Sequence, residues 1–127
     1  GYRLAGRGIG QSVWVGVGGD PVKGTRFADL VPFYKQDDET RALVIVGEIG
    51  GDEEESLAAA ITAENFTKPV FAVIAGSSAP EGVTMGHAGA LVYGTLGSAA
   101  SKRQALEAAG ARVFSTIEGL VDAVSDL

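Results

Sequence analysis

Two short runs of uninterrupted apolar residues constrain this chain more than anything else in it. They are Ala42–Glu48 (ALVIVGE) and Val70–Ala75 (VFAVIA). A strand with one wet face alternates apolar and polar residues. A continuous run therefore signals a strand buried on both faces, as in a parallel sheet covered by helices. The stretch between the runs, Asp52–Glu64, is long enough for a crossover helix and opens on Asp52, Glu53, Glu54 and Glu55, which suits the positive end of a helix dipole. Further strands are expected at Ser12–Val17, Ala90–Tyr93 and Arg112–Ser115. Helices are expected at Thr25–Tyr34, Ser98–Ala109 and Thr116–Val124. Thr25 is the candidate N-cap of the first of these, and Pro32 should kink it or end it early. Gly110 is placed to stop the second, and Thr116 or Ser115 to cap the third. Strand and helix in alternation spell a doubly wound α/β layer. Such layers bind ligands beyond the carboxyl ends of their strands, so the loops to watch are Gly16–Gly24, Gly47–Asp52 and Gly76–Gly89.

With 127 residues, 46% of them hydrophobic, the chain forms one domain, 1–127, with a real core. A net charge of −6 argues against nucleic acid and anionic membrane surfaces as partners. No apolar stretch approaches the ~20 residues of a membrane span. The absence of cysteine excludes disulfides, zinc–thiolate sites and cysteine nucleophiles.

The lone histidine sits in Met85-Gly-His-Ala-Gly-Ala90, where glycine lets the backbone approach a ligand closely. Imidazole can accept and release a group near neutral pH, so His87 is either a nucleophile or an incidental structural residue. Glu48 closes a buried strand, where a carboxylate needs a partner. It is either a cap or salt-bridge residue, or the group that orients His87 through one ring nitrogen and frees the other. Both residues belong at one crest of the sheet. Other motifs read more plainly. Gly16–Gly24 and Gly6–Gly10 lack the full phosphate-loop and dinucleotide patterns and read first as turns, with Gly16–Gly19 alternatively offering backbone N–H groups to an anion ahead of the helix at Thr25. Asp52–Glu55 reads as a solvated first turn, Asp37–Glu39 as a surface loop, Trp14 as sheet-face packing, and Lys102-Arg103 as an exposed helix face.

Several strings then occur together in one order. They are Gly8-Ile-Gly-Gln-Ser12, Val15-Gly-Val-Gly-Gly-Asp-Pro21, Val46-Gly-Glu-Ile-Gly-Gly51, Ala79-Pro80 and Met85-Gly-His-Ala-Gly-Ala90. Over nearly its whole length the chain resembles the ligase-CoA domain of succinyl-CoA synthetase alpha subunits, enzymes of the tricarboxylic acid cycle, and their relatives ATP-citrate lyase, citryl-CoA synthetase and malate–CoA ligase. The resemblance implies a flavodoxin-like fold, here lacking its first strand and helix, with Tyr2–Gly6 as that helix's tail. It implies a phosphohistidine enzyme. His87 would carry phosphate from a nucleotide to a carboxylate, Glu48 would hydrogen-bond His87, and Gly86, Ala88 and Gly89 would shape the loop and offer backbone donors. Coenzyme A and ATP or GTP with magnesium are implied for the complete enzyme, none of them bound by this segment alone. The implied partners are a nucleotide-grasp beta subunit and an N-terminal CoA-binding domain, in the cytoplasm or, in a eukaryote, the mitochondrial matrix. The isolated segment is expected to be inactive. The chain departs from the pattern at Val83-Thr84, where relatives carry a basic pair. The alternatives are citryl- or malyl-CoA formation, or a non-catalytic assembly domain of the same fold.

Overall fold

The computed structural model describes residues 1–77, 95 and 97–127. Three strands, β1 (Leu43–Glu48), β2 (Val70–Ala75) and β3 (Arg112–Phe114), form one sheet in the order β1-β2-β3. Both pairings are parallel, with Leu43 opposite Val70, Glu48 opposite Ala75, and Phe71 opposite Arg112. The two continuous apolar runs are thus the two long strands, as their composition requires.

Side-chain alternation splits the core into two layers. Leu43, Val70, Ala72 and Ile74 pack with Val31, Leu57, Ile61 and Leu106. These come from α2 (Phe27–Gln36), α3 (Glu53–Ala63) and α4 (Ala99–Ala108), which cover one face. Phe71 faces the other way and packs with Leu4 of α1 (Tyr2–Gly6) and with Leu120, Val121 and Val124 of α5 (Ile117–Ser125). Helices on both faces of a parallel sheet make the layer doubly wound. On the second face Arg3 pairs with Glu118 at 3.3 Å and Arg7 with Asp122 at 2.7 Å, tying α1 to α5.

Several helix ends follow from the sequence. The Ser98 side chain accepts the Ser101 N–H at 3.1 Å, and the Thr116 hydroxyl accepts that of Gly119 at 3.1 Å. Gly110, at φ +90°, follows α4 in the left-handed region that glycine tolerates.

Four expectations fail in whole or in part. Thr25 is not the cap of α2; Arg26 is, and its N–H donates to the Asp29 carboxylate at 2.9 Å. Of the two outcomes expected at Pro32, early ending does not occur, since α2 runs on to Gln36 with Pro32 inside it. Ser12–Val17 is not a strand. Its β-forming residues have no ladder to join, because β1 has no further strand beside it among the described residues. Trp14, expected to pack on a sheet face, is 74% exposed. Between this extended segment, α2 and the open edge of β1 lies a cavity of 1610 Å³, lined by Val13, Val15, Val31, Val44 and Val46 among others. The expected strand at Ala90–Tyr93 lies outside the described residues.

Candidate active site

The carboxyl ends of β1 and β2 open onto one rim. Glu48 ends β1, half-buried, with Ala75 as its register partner on β2. Beyond Glu48 the chain turns through Gly50 and Gly51, at φ +89° and +59°, a turn that side-chain-bearing residues enter only with strain. Beyond Ala75 it turns through Gly76, at φ +81°. The return to α4 is fixed beside Glu48. The Gly50 N–H donates to the Gly97 carbonyl at 2.7 Å, and the Ser98 N–H to that of Thr95 at 3.3 Å. A Cβ on Gly97 would stand 2.9 Å from the Gly51 carbonyl oxygen, so the two loops touch through bare backbone. Ser77 and Gly97, described residues before and after the 78–94 stretch, thus stand at the rim that Glu48 closes. His87, Gly86, Ala88 and Gly89 themselves, with Ala79-Pro80 and Val83-Thr84, lie outside the described residues.

Two charge clusters support this rim, and the sequence pointed to neither. In the first, Arg26 at the start of α2 spans to α3. Its Nε donates to Glu53 at 2.6 Å and its terminal nitrogen to Asp52 at 2.5 Å. Glu53 also accepts the Phe27 N–H at 3.1 Å, and Lys23 approaches at 3.4 Å. Burial alone would raise the Glu53 carboxyl, but these donors and cations outweigh it and hold it below the ordinary carboxylate range. The cluster brings the end of the Gly16–Gly24 loop against the Gly47–Asp52 loop.

In the second cluster Glu54 and Lys102 form a buried ion pair, with Lys102 fully buried and Glu54 2% exposed. Lys102 also reaches Glu55 at 3.3 Å, and the Ser101 hydroxyl donates to Glu55 at 3.1 Å. The other oxygen of Glu54 accepts the Glu48 N–H at 3.1 Å. Burial pushes the Glu54 carboxyl up, against the pull of the Lys102 ammonium. The expected solvated turn at Asp52–Glu55 is therefore wrong for Glu53 and Glu54, because each meets a cation from another helix. The expected exposed face at Lys102 is wrong for the same reason. One signal was present: Lys102 stands one helical turn before the buried Leu106, in phase with the apolar face of α4.

An all-parallel, doubly wound layer with glycine turns and a carboxylate at its C-terminal rim defines a class of α/β ligand-binding domains. Within that class the chain belongs to the CoA-ligase family, whose profile matches residues 2–112. It is 51% identical over 122 residues to the alpha subunit of an ADP-forming succinate–CoA ligase from Methanothermobacter thermautotrophicus, covering 96% of this chain and 41% of that one. It is 52% identical over 106 residues to a subunit of an ADP-forming sulfoacetate–CoA ligase from Bilophila wadsworthia, covering 84% of this chain and 36% of that one. Among solved structures it resembles Methanosaeta concilii ATP citrate lyase in complex with (3S)-citryl-CoA, with a TM-score of 0.76 and 28% identity, covering 86% of this chain and 18% of that one. The chain spans about two fifths of the length of the curated relatives it matches. Among the described residues no helix is long and apolar enough to cross a membrane, and no group of three or more His, Asp or Glu side chains could hold a metal ion.

Proposed function

We propose that this chain is the phosphohistidine-bearing part of an acid–CoA ligase alpha subunit. His87 is the nucleophile and Glu48 the residue that orients it. In this reading the neutral imidazole attacks the terminal phosphorus of a nucleoside triphosphate. A P–N bond forms as the bond to the leaving nucleoside diphosphate breaks. The phosphoryl group then passes to a substrate carboxylate, and the thiol of coenzyme A displaces phosphate from the acyl phosphate. A carboxylate on the far ring nitrogen fixes the tautomer and raises the basicity of the attacking one. Backbone N–H groups of Gly86, Ala88 and Gly89 would meet the phosphoryl oxygens.

One observation carries this reading. Glu48 ends β1 at the same rim that Ser77 and Gly97, described residues before and after the 78–94 stretch, occupy. Membership of the CoA-ligase family supports the chemistry. The nucleotide with its magnesium and coenzyme A would be held largely by a nucleotide-grasp beta subunit and a CoA-binding domain, so the segment alone would not turn over. Such an enzyme would work in the cytoplasm or the mitochondrial matrix. The acid stays open between succinate, sulfoacetate, malate and citrate, since relatives named for succinate and for sulfoacetate are equally similar to this chain.

The test uses the complete ligase with its terminally labelled nucleotide. The wild type should take up acid-labile phosphate and discharge it on one of the four acids. His87→Asn should take up none. Uptake by His87→Asn would overturn the proposal, as would a wild type that is never phosphorylated.

A further inference from the structure

The ladder between β1 and β2 uses alternate N–H groups of β1. Leu43 donates to Pro69 at 2.9 Å and Ile49 to Ala75 at 3.1 Å, so odd-numbered donors face β2. The N–H groups of Val44, Val46 and Glu48 face the opposite edge. At Glu48 that donor meets an oxygen of Glu54, 3.1 Å away. Only glycine at position 47 allows this approach, because a Cβ there would collide with the same oxygen. The second oxygen of Glu54 is held by Lys102. A continuous chain of contacts therefore runs from α4 through the first turn of α3 to the last peptide of β1.

We infer that Glu54, fixed by Lys102, is a positioning residue that sets the direction of the Glu48 side chain by holding the peptide between Gly47 and Glu48. A buried ion pair is weak as a stabiliser, since well-packed apolar residues often do as well or better. What apolar residues cannot supply is an acceptor for the Glu48 N–H. The peptide on the far side of Ile49 is held as well, by the Gly50 donor on Gly97. Both restraints lead to α4 or the residue just before its cap, where the chain returns from the segment that includes His87. The pair thus holds the last peptide of β1 at the rim where the chain returns to α4. The inference rests on the proposed role of Glu48.

The test compares two double variants in the complete ligase. Both Glu54→Gln/Lys102→Met and Glu54→Leu/Lys102→Met remove the buried charges, but only the first keeps an oxygen for the Glu48 N–H. Single-turnover phosphate uptake should stay within about threefold of wild type for the Gln/Met pair and fall at least about thirtyfold for the Leu/Met pair. Nucleotide affinity should be unchanged in both. Equal rates for the two pairs, fast or slow, would overturn the inference, because a purely structural role predicts that activity follows folding alone. Amide hydrogen exchange gives a second readout, independent of activity and of whether either variant folds. The Glu48 amide of the wild type should be protected, and more strongly than that of Val46 on the same edge. An unprotected Glu48 amide overturns the positioning role. A wild type that takes up no phosphate defeats the proposed function, whereas equal rates or an unprotected Glu48 amide in a ligase that does take it up defeat this inference alone.

Discussion

Glu48 leaves β1 with its backbone held on one side by Glu54 and its loop held on the other by Gly97. A residue restrained in this way is placed by its surroundings rather than by its own rotamer preference, as a carboxylate that must meet an imidazole requires. Glu48→Gln keeps the size of the side chain and removes its charge. In the complete ligase it should slow phosphate uptake by roughly 10²-fold, measured in a single turnover, while the melting temperature barely moves. A rate within twofold of wild type would remove Glu48 from the proposed site. Gly97 carries the complementary prediction. It combines φ +75° with a collision at the Gly51 carbonyl, so Gly97→Ala should cost about 2 kcal/mol and lower the Tm by roughly 5–8 °C. Gly10, where an added Cβ meets nothing, is the control; Gly10→Ala should leave the Tm close to wild type.

At the level of elements, α2 and α3 are joined at their N-termini by ions rather than by apolar packing alone. Arg26 and the Phe27 N–H hold Glu53 below its ordinary pKa of 4.5. A depressed acid contributes stability that is complete above its unfolded-state pKa and is lost as pH falls through the folded one. The stability gap between wild type and Glu53→Gln should therefore be widest near neutrality and narrow as pH falls below the ordinary carboxyl value of 4.5, as followed by thermal melts across pH. A gap that does not narrow anywhere on the acid side of neutrality would show that the cluster does not titrate as described.

These elements also mark where sequence reasoning succeeds and stops. β2 was legible because burial on both faces leaves an unbroken apolar run; β1 shares the unbroken run, but its expected double burial fails at Val46, which is exposed on the open side of the strand. α4 was legible from Leu106 and the Gly110 stop, and α5 from the cap at Thr116; the Ser98 cap of α4 went unread. Ser12–Val17 misled because its composition favours a strand, yet a strand exists only where a neighbour accepts its hydrogen bonds. Lys102 misled because its partner Glu54 is distant in sequence, and a lysine without a visible partner is rightly expected in water. Of the proposed site, Glu48 was legible from its place at the end of a buried run, whereas Glu54 depended on a tertiary approach that Gly47 permits and no motif encodes.

Considered as one molecule, the domain is firmly built around β2 and open beside β1. Val46 is 69% exposed on a strand whose outer backbone groups have no ladder partner among the described residues, and Val13, Trp14 and Val15 stand exposed nearby. An apolar strand edge of this kind invites pairing between chains. The isolated 127-residue chain should self-associate with rising concentration, as seen by sedimentation velocity. Val46→Lys should shift it toward monomer without lowering its Tm by more than a few degrees. Association unaffected by this lysine would place the sticky surface elsewhere.

The strand pairings also bear on how the chain reaches this state. Leu43 must find Val70, and Phe71 must find Arg112, each across an intervening helix; among the described residues no hairpin starts the sheet locally. Such distant closures make for slow acquisition of structure. On a ribosome β2 would wait, with one flank bare, until α4 and β3 had been synthesised. Newly made chains should therefore depend on chaperone shielding during that interval more than a helical bundle of equal length would.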